Sequence, residues 1–392
     1  MLYLPRSLPL LLLLLLLLNA PLCLCQTRTF TLINNCADTI WFKATSGAAP
    51  TMGGVPHCTT NSHCTIGSAC DVSNGICYWV IPTPGNGDFR ITPNGGRNSL
   101  TFPFLNNNNA FVWSGNLGAC LNGTCNDPAS YCDAHGCSTP GGSPETKAEF
   151  TLSKTGMDFY DVEVINGFNL PVAVYPKTTS FTSDPYFCGS PGATQAMTET
   201  ADCSWRFSPP SLHYNWVEAG GIPCSSHGDC TSTPGTICGL SNNIGQNPRF
   251  KQTCGKSFGY WTANQVCGVD QGFGAPFNCN QQLPAPNAGN IMWNLYACNN
   301  GIPSCYQDGA TTNCCGCANW RDHGLDVPAN TKQCTSSNSM WVSNVQPGLQ
   351  WLKAACPSVY TYPYDDMSST FICNLSSGGN NVLNYDIVWC PR

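Results

Sequence analysis

The sequence predicts an all-β, loop-rich chain held together by disulfides. Three observations carry this prediction. Only 10% of the 392 residues are charged, too few to give helices solvated faces. Glycine and proline together make 38 + 30 = 68 residues, which favours turns over long regular helices. The 28 cysteines are a framework of staples if the chain folds in an oxidising compartment. The length allows one large domain or two modest ones.

The amino terminus supports that compartment. Arg6 precedes the run Leu10–Leu18, nine residues spanning about 14 Å as a helix, half of a hydrocarbon core. This predicts a signal peptide at 1–25, cleaved after Cys25, and a secreted, extracellular chain from Gln26 onward with no membrane span. Without Cys23 and Cys25, 28 − 2 = 26 cysteines remain, an even number that allows up to 13 disulfides. At about 2–4 kcal/mol each, these outweigh surface ion pairs. The formal net charge of −6 becomes −7 without Arg6, which argues against nucleic acid and anionic membrane surfaces as partners.

Taken in order, Thr29–Phe42 reads as two short strands around a turn at Asn34-Asn35, with Phe30, Leu32, Ile40 and Phe42 at alternating positions. Residues 50–88 hold Cys58, Cys64, Cys70 and Cys77 among polar and turn-forming residues. Cys224, Cys230, Cys238 and Cys254 repeat that arrangement within 220–297. Both openings are alike, Pro56-His57-Cys58 with His63-Cys64, and Pro223-Cys224 with Asp229-Cys230. These are read as two copies of one inserted four-cysteine module, too poor in apolar residues to fold without disulfides. Of the three possible connectivities we take first-to-third and second-to-fourth. His57, His63 and His227 lie beside cysteines, but secretion and the lack of CxxC spacing argue against zinc, so no metal is expected. No organic cofactor is expected either, since no glycine-rich phosphate loop stands in a βαβ setting.

Phe89–Trp113 resumes the β pattern, with Asn106–Asn109 as a polar tight loop. Asn122-Gly123-Thr124 and Asn374-Leu375-Ser376 are glycosylation sequons. In 148–171, Phe150 and Leu152 alternate with Glu149 and Thr151, and Val162 and Val164 alternate with Asp161 and Glu163. Period two sends the apolar side chains to one face and the acids to the other. Asn166-Gly167 is a two-residue hairpin signal, so the stretch is read as a hairpin offering carboxylates on one face. Residues 255–297 lack clear periodicity and are expected to form irregular loops. Cys298–Cys334 is a dense cluster containing Cys314-Cys315-Gly316-Cys317, in which neighbouring cysteines must reach elsewhere.

Several of these stretches resemble thaumatin-like proteins, the pathogenesis-related group 5 type. They are Ala148-Glu149-Phe150, Asp158-Phe159-Tyr160-Asp161-Val162, Asn166-Gly167-Phe168-Asn169, the amino-terminal Asn34-Asn35-Cys36, Gly118–Cys125, and the carboxy-terminal Leu352–Pro357, Asp365–Cys373 and Tyr385–Pro391. They are collinear and cover roughly half the chain. The resemblance implies a thaumatin-like β-sandwich over 26–392 with a disulfide-rich loop domain, interrupted by the cysteine-rich insertions. It implies the pairs Cys36–Cys390, Cys188–Cys373, Cys203–Cys356 and Cys125–Cys132. The family cysteine upstream of Cys120 is missing, so Cys120 is expected to take Cys137.

Many members of that family carry an acidic cleft made of one arginine, one glutamate and three aspartates. Some bind β-1,3-glucans there and some hydrolyse them. By resemblance Glu149 is the glutamate, Asp161 the first aspartate, and Asp365 or its neighbour Asp366 the third. Asn166 stands where the second belongs, and Phe111 replaces the arginine. Glu163 shares a face with Asp161 and can substitute. Three readings follow. The first is an endo-β-1,3-glucanase with Glu149 as proton donor and Asp161 as partner carboxylate. The second is a protein that binds cell-wall polysaccharide without turnover, its acids accepting sugar hydroxyls and Trp113 stacking on rings. The third is a protease or amylase inhibitor that uses the stapled modules as rigid loops. The two lost positions favour the second. A monomer acting in defence or at the cell wall is the expectation.

Overall fold

A computed structural model of the chain describes residues 27–103, 111–121, 144–153, 156–178, 183–195, 202–305, 313–316, 318–325, 327, 338–378 and 382–392, and the backbone of 132–133 and 136–137. The expected signal peptide at 1–25, the expected asparagine loop at 106–109, the sequon at Asn122 and the expected pairs Cys125–Cys132 and Cys120–Cys137 lie outside the described residues. Cys120 itself is disulfide-bonded.

In chain order the strands are β1 (Thr27–Asn34), β2 (Ile40–Ser46), β3 (Ala48–Ala49), β4 (Ser68–Asp71), β5 (Ile76–Trp79), β6 (Arg90–Ile91), β7 (Gly96–Pro103), β8 (Phe111–Leu121), β9 (Cys132–Asp133) and β10 (Gly136–Cys137). There follow β11 (Lys147–Ser153), β12 (Met157–Glu163), β13 (Val172–Pro176), β14 (Asn215–Val217), β15 (Thr236–Asn242), β16 (Phe250–Tyr260), β17 (Phe371–Asn374) and β18 (Tyr385–Trp389). The fold is all-β. Two sheets make the sandwich, a four-stranded one ordered β13-β18-β1-β7 and a six-stranded one ordered β17-β12-β11-β8-β2-β6.

The alternating apolar residues explain why these sheets meet. Phe30, Phe102 and Tyr385 point inward from the first sheet, and Trp113, Phe150 and Tyr160 from the second. Their rings interlock, with Phe30–Phe150 centroids 4.4 Å apart, Phe102–Trp113 5.0 Å and Tyr160–Tyr385 5.2 Å. A buried ion pair crosses the same core. Arg28 of β1 meets both carboxylate oxygens of Asp158 of β12. Tyr385 Oη and the Ser153 amide donate to the same carboxylate at 2.7 and 2.8 Å. With every acceptor supplied, the pair tolerates its loss of water.

Staples close the chain at several scales. Cys36–Cys390 joins the segment after β1 to the segment after β18, and Cys188–Cys373 and Cys203–Cys356 tie later loops to the carboxy-terminal segment. In the first module Cys58 pairs with Cys70 and Cys64 with Cys77. In the second Cys224 pairs with Cys238 and Cys230 with Cys254. Each module is thus joined first-to-third and second-to-fourth; in the first, β5 pairs with β4 and with β3 just ahead of the module, and in the second, β15 and β16 pair with each other and with β14 just ahead of it. Where sulfurs of three cysteines crowd within 4.8 Å in each module, they belong to neighbouring disulfides and are not the thiolates that ligate metal. The adjacent Cys314 and Cys315 reach apart, to Cys305 and Cys298 respectively.

Two expectations are corrected here. The hairpin of β11 and β12 does not turn at Asn166-Gly167. Its strands face each other from Lys147↔Glu163 to Thr151↔Phe159, so the end of β11 leads into the start of β12, well ahead of Asn166. Asn166-Gly167 ends β12 instead, in a turn where the Gly167 amide donates to the Val164 carbonyl at 3.1 Å. Gly167 adopts φ 89°, and a Cβ there would come within 2.6 Å of Pro144 and 2.7 Å of the Tyr260 carbonyl, so the dipeptide serves close packing against β16. Residues 255–297 are likewise not loops throughout. They include the end of β16 and the helices Ala263–Val269 and Met292–Ala297. These helices are short and mostly buried, so they show no polar stripe for a periodicity reading to find.

Candidate functional site

The outward face of β11 and β12 is the floor of an open trough of about 280 Å³. Register builds it. Glu149 lies directly opposite Asp161 and Lys147 opposite Glu163, while Phe150, Tyr160 and Val162 point into the core. Cross-strand partners of this kind hold their Cβ atoms about 4.5–5.5 Å apart, so the two acids stand side by side. The far wall is the segment 360–370, which contributes Tyr360, Pro363, Asp366 and Thr370. It is hydrogen-bonded along β12. The Tyr360 amide donates to the Val162 carbonyl and the Val164 amide to the Tyr360 carbonyl, each at 2.9 Å.

The electrostatics follow from four carboxylates in one trough with a single ion-paired lysine. Asp161 is pushed well above the usual carboxylate range, first by burial and then by the charges of Glu149, Glu163 and Asp366. Its Oδ1 is buried without a hydrogen-bond partner. Glu149 is exposed at the rim, yet partial loss of hydration and the Glu163 charge push it up to about 7, against the pull of Lys147. Lys147 Nζ donates to Glu163 Oε1 at 2.8 Å. Burial pulls this lysine down, but Glu163, Glu145 and Glu149 outweigh burial and hold it charged. With its amide nitrogen turned towards the trough, Asn116 of β8 donates to Glu149 Oε1 at 3.3 Å. Such a site can keep a proton on one carboxyl near neutral pH while a neighbour stays ionised.

The structure brings together Glu149, Asp161, Glu163 and Asp366, and leaves the other expected residues outside the trough. Trp113 is buried in the sandwich against Phe30 and Phe102 and cannot stack on a ligand. Its position in β8 puts it on the inner face, because its outward neighbours are Ser114 and Asn116. Asp365 is buried too. It takes the Lys353 ammonium at 2.9 Å, the Trp320 indole at 2.9 Å and the Thr361 amide at 3.1 Å. Asp365 therefore holds the wall in place, and Asp366 lines the trough. Asn166 does not line the trough; its Oδ1 accepts from Asn264 Nδ2 at 3.3 Å. The side chain of Phe111 lies outside the described residues. Asn374 caps its own turn, its Oδ1 accepting from the Ser376 amide at 2.9 Å.

Three contributors escaped the sequence. Lys147 is two positions before Glu149, and period two alone places it on the acidic face; that signal was present. Tyr360 and Lys353 gave none, since their roles come from a loop folded back on β12. Burial, Asp161 and Asp366 raise the Tyr360 phenol far beyond physiological pH, so it remains a neutral hydroxyl.

Compared with known proteins, residues 106–391 match the thaumatin family. Among individual relatives, the chain is 29% identical over 150 residues to pathogenesis-related protein 5 of Arabidopsis thaliana, covering 38% of this chain and 48% of that protein. It is 26% identical over 238 residues to an osmotin-like protein of Nicotiana tabacum, covering 59% and 71%. It is 26% identical over 207 residues to pathogenesis-related thaumatin-like protein 3.2 of Cryptomeria japonica, covering 48% and 77%. The chain spans about half the length, or less, of the first relatives it matches.

Proposed function

The chain belongs to the thaumatin family, and on that footing we propose that it is a secreted, monomeric defence or wall-related protein that binds β-1,3-glucan or a related cell-wall polysaccharide in its acidic trough. The observation that carries this reading is the side-by-side placement of Glu149 and Asp161, with Glu163 and Asp366, on the floor and wall of one open groove. Carboxylates accept hydroxyl hydrogen bonds, and a sugar polymer presents hydroxyls along its whole length. The mature chain on this reading is 26–392, with the four-cysteine modules at 50–88 and within 220–297 as additions to the family domain.

Binding without turnover is the first choice because the family's arginine and second aspartate are replaced by Phe111 and Asn166. Endo-hydrolysis is the second reading, and one observation favours it: Glu149 is pushed up to about 7 beside another carboxyl, as a proton donor requires. Pull-down on insoluble β-1,3-glucan tests the first. Retention is expected for the wild type and is lost in the double variant Glu149→Gln, Asp161→Asn; an unretained wild type overturns the proposal. Reducing ends released from laminarin by the wild type but not by Glu149→Gln would establish the second.

A further inference from the structure

Asn374 ends β17, the edge strand of the six-stranded sheet, and opens the tripeptide Asn374-Leu375-Ser376. In a secreted chain this motif is an acceptor for N-linked sugar, and the trough makes no use of it. Two observations of the fold bear on it. The first is local. Asn374 Oδ1 accepts from the Ser376 amide at 2.9 Å and from the Ser376 hydroxyl at 2.8 Å. Both bonds fall on the oxygen, so the amide nitrogen donates to nothing among the described residues, and it is not among their buried unpaired atoms. A sugar in place of one of its hydrogens breaks no bond of the fold.

The second observation is the surface beside it. Asn374 stands opposite Met157, and Ile372 opposite Phe159. Phe371, Cys373, Asp158 and Tyr160 alternate with these four and are buried, so Asn374, Ile372, Met157 and Phe159 share the outer face. Phe159 is 48% open, and Ile372 and Met157 are half-buried. Phe159 is the diagonal neighbour of Asn374, at about 7–8 Å, within reach of a large group on the asparagine. Three apolar side chains are thus partly in water around one free amide nitrogen, which costs solubility unless something covers them.

We propose that Asn374 carries an N-linked oligosaccharide whose first N-acetylglucosamine packs over Ile372 and Phe159. The donor is a lipid pyrophosphate-linked oligosaccharide. The bond from Asn374 Nδ2 to the sugar C1 forms, the bond from C1 to the pyrophosphate oxygen breaks, and the proton lost from Nδ2 ends on the released pyrophosphate. The apolar C–H face of the first sugar then lies on the Phe159 ring, and its hydroxyls stay in water. The glycan is a covalent cover for this end of the outer face. The proposal rests on the secreted reading of the chain and is independent of what the trough binds.

The test is expression of the full chain in a eukaryotic secretory host, with peptide mass analysis of the protein in the medium. The peptide holding Asn374 is expected to carry glycan in the wild type and in Ser376→Thr, and none in Ser376→Ala. Packing is read with a dye that fluoresces on exposed apolar surface. Ser376→Ala should bind about twice as much dye as wild type, because the patch reopens. Ser376→Thr, and wild type trimmed enzymatically to its first sugar, should match the untrimmed wild type. Adding Phe159→Ser to Ser376→Ala should remove the excess. Asn374→Gln also abolishes the acceptor and serves in place of Ser376→Ala if that variant misfolds. A secreted wild type unmodified at Asn374 overturns the proposal alone. Equal dye binding by wild type and Ser376→Ala overturns the packing of the sugar on Phe159. A wild type that stays in the cell without glycan overturns the proposal together with the secreted reading.

Discussion

Two neighbouring residues with the same side-chain chemistry, Asp365 and Asp366, do opposite work. Asp365 is sealed in with Lys353, whose ammonium also donates to the Val359 carbonyl and Ser369 Oγ at 2.8 Å each. Removing one member of a buried pair leaves the other charge uncompensated, at a cost of about 3–5 kcal/mol. Asp365→Ala should therefore lower the urea midpoint strongly, whereas Asp366→Asn should leave it unchanged and weaken glucan retention. Equal effects of the two on stability would refute this division. Glu149 makes a pH prediction. Its carboxyl ordinarily titrates near 4.5 and in the fold at about 7, so folding disfavours its ionised form. The resulting penalty is absent below about pH 4.5, grows through the interval and is complete above about 7. Glu149→Gln should thus melt higher than wild type at pH 8, with the difference vanishing at pH 4.

At the scale of elements, the β11–β12 ladder decides what the trough is. Alternation in the sequence already separated Glu149, Asp161 and Glu163 from Phe150 and Val162, and the strands keep that division. The same alternation could not locate the turn. Asn166-Gly167 has the conformational freedom a hairpin needs, and that freedom is spent on packing against Pro144 and Tyr260. Trp113 faces the core and not the trough for a related reason. An aromatic at period two is equally suited to either face, and only the position of the four-stranded sheet makes one face the interior. The second module docks at the end of β12. Tyr260 and Phe168 exchange backbone hydrogen bonds at 2.9 and 2.8 Å, and Thr262 Oγ1 donates to the Ile165 carbonyl at 2.8 Å. The module thereby braces the turn that carries Ile165, which lines the trough.

Across the whole molecule, the first and last strands are held together twice. β1 pairs in parallel with β18, Phe30 facing Tyr385 and Asn34 facing Trp389, and Cys36–Cys390 locks the same corner across a separation of 354 residues. Closing so long a loop constrains the unfolded chain, which is where a disulfide exerts most of its effect. Replacing both cysteines with serine should lower stability by about 2–5 kcal/mol in urea unfolding while leaving glucan retention intact in the absence of denaturant, since the trough lies on the other sheet. Loss of retention under native conditions would show that the clamp shapes the site as well. The sequence by itself determined the all-β class, the pairing within the two cysteine modules and the gathering of acids on one strand face, because composition, cysteine spacing and period-two alternation are local properties. Only the tertiary structure decided which face became core, which of two adjacent aspartates lined the trough, and that Tyr360 and Phe159 border the same trough. Those outcomes depend on which distant segment packs against each strand, and burial and electrostatic coupling arise from that packing.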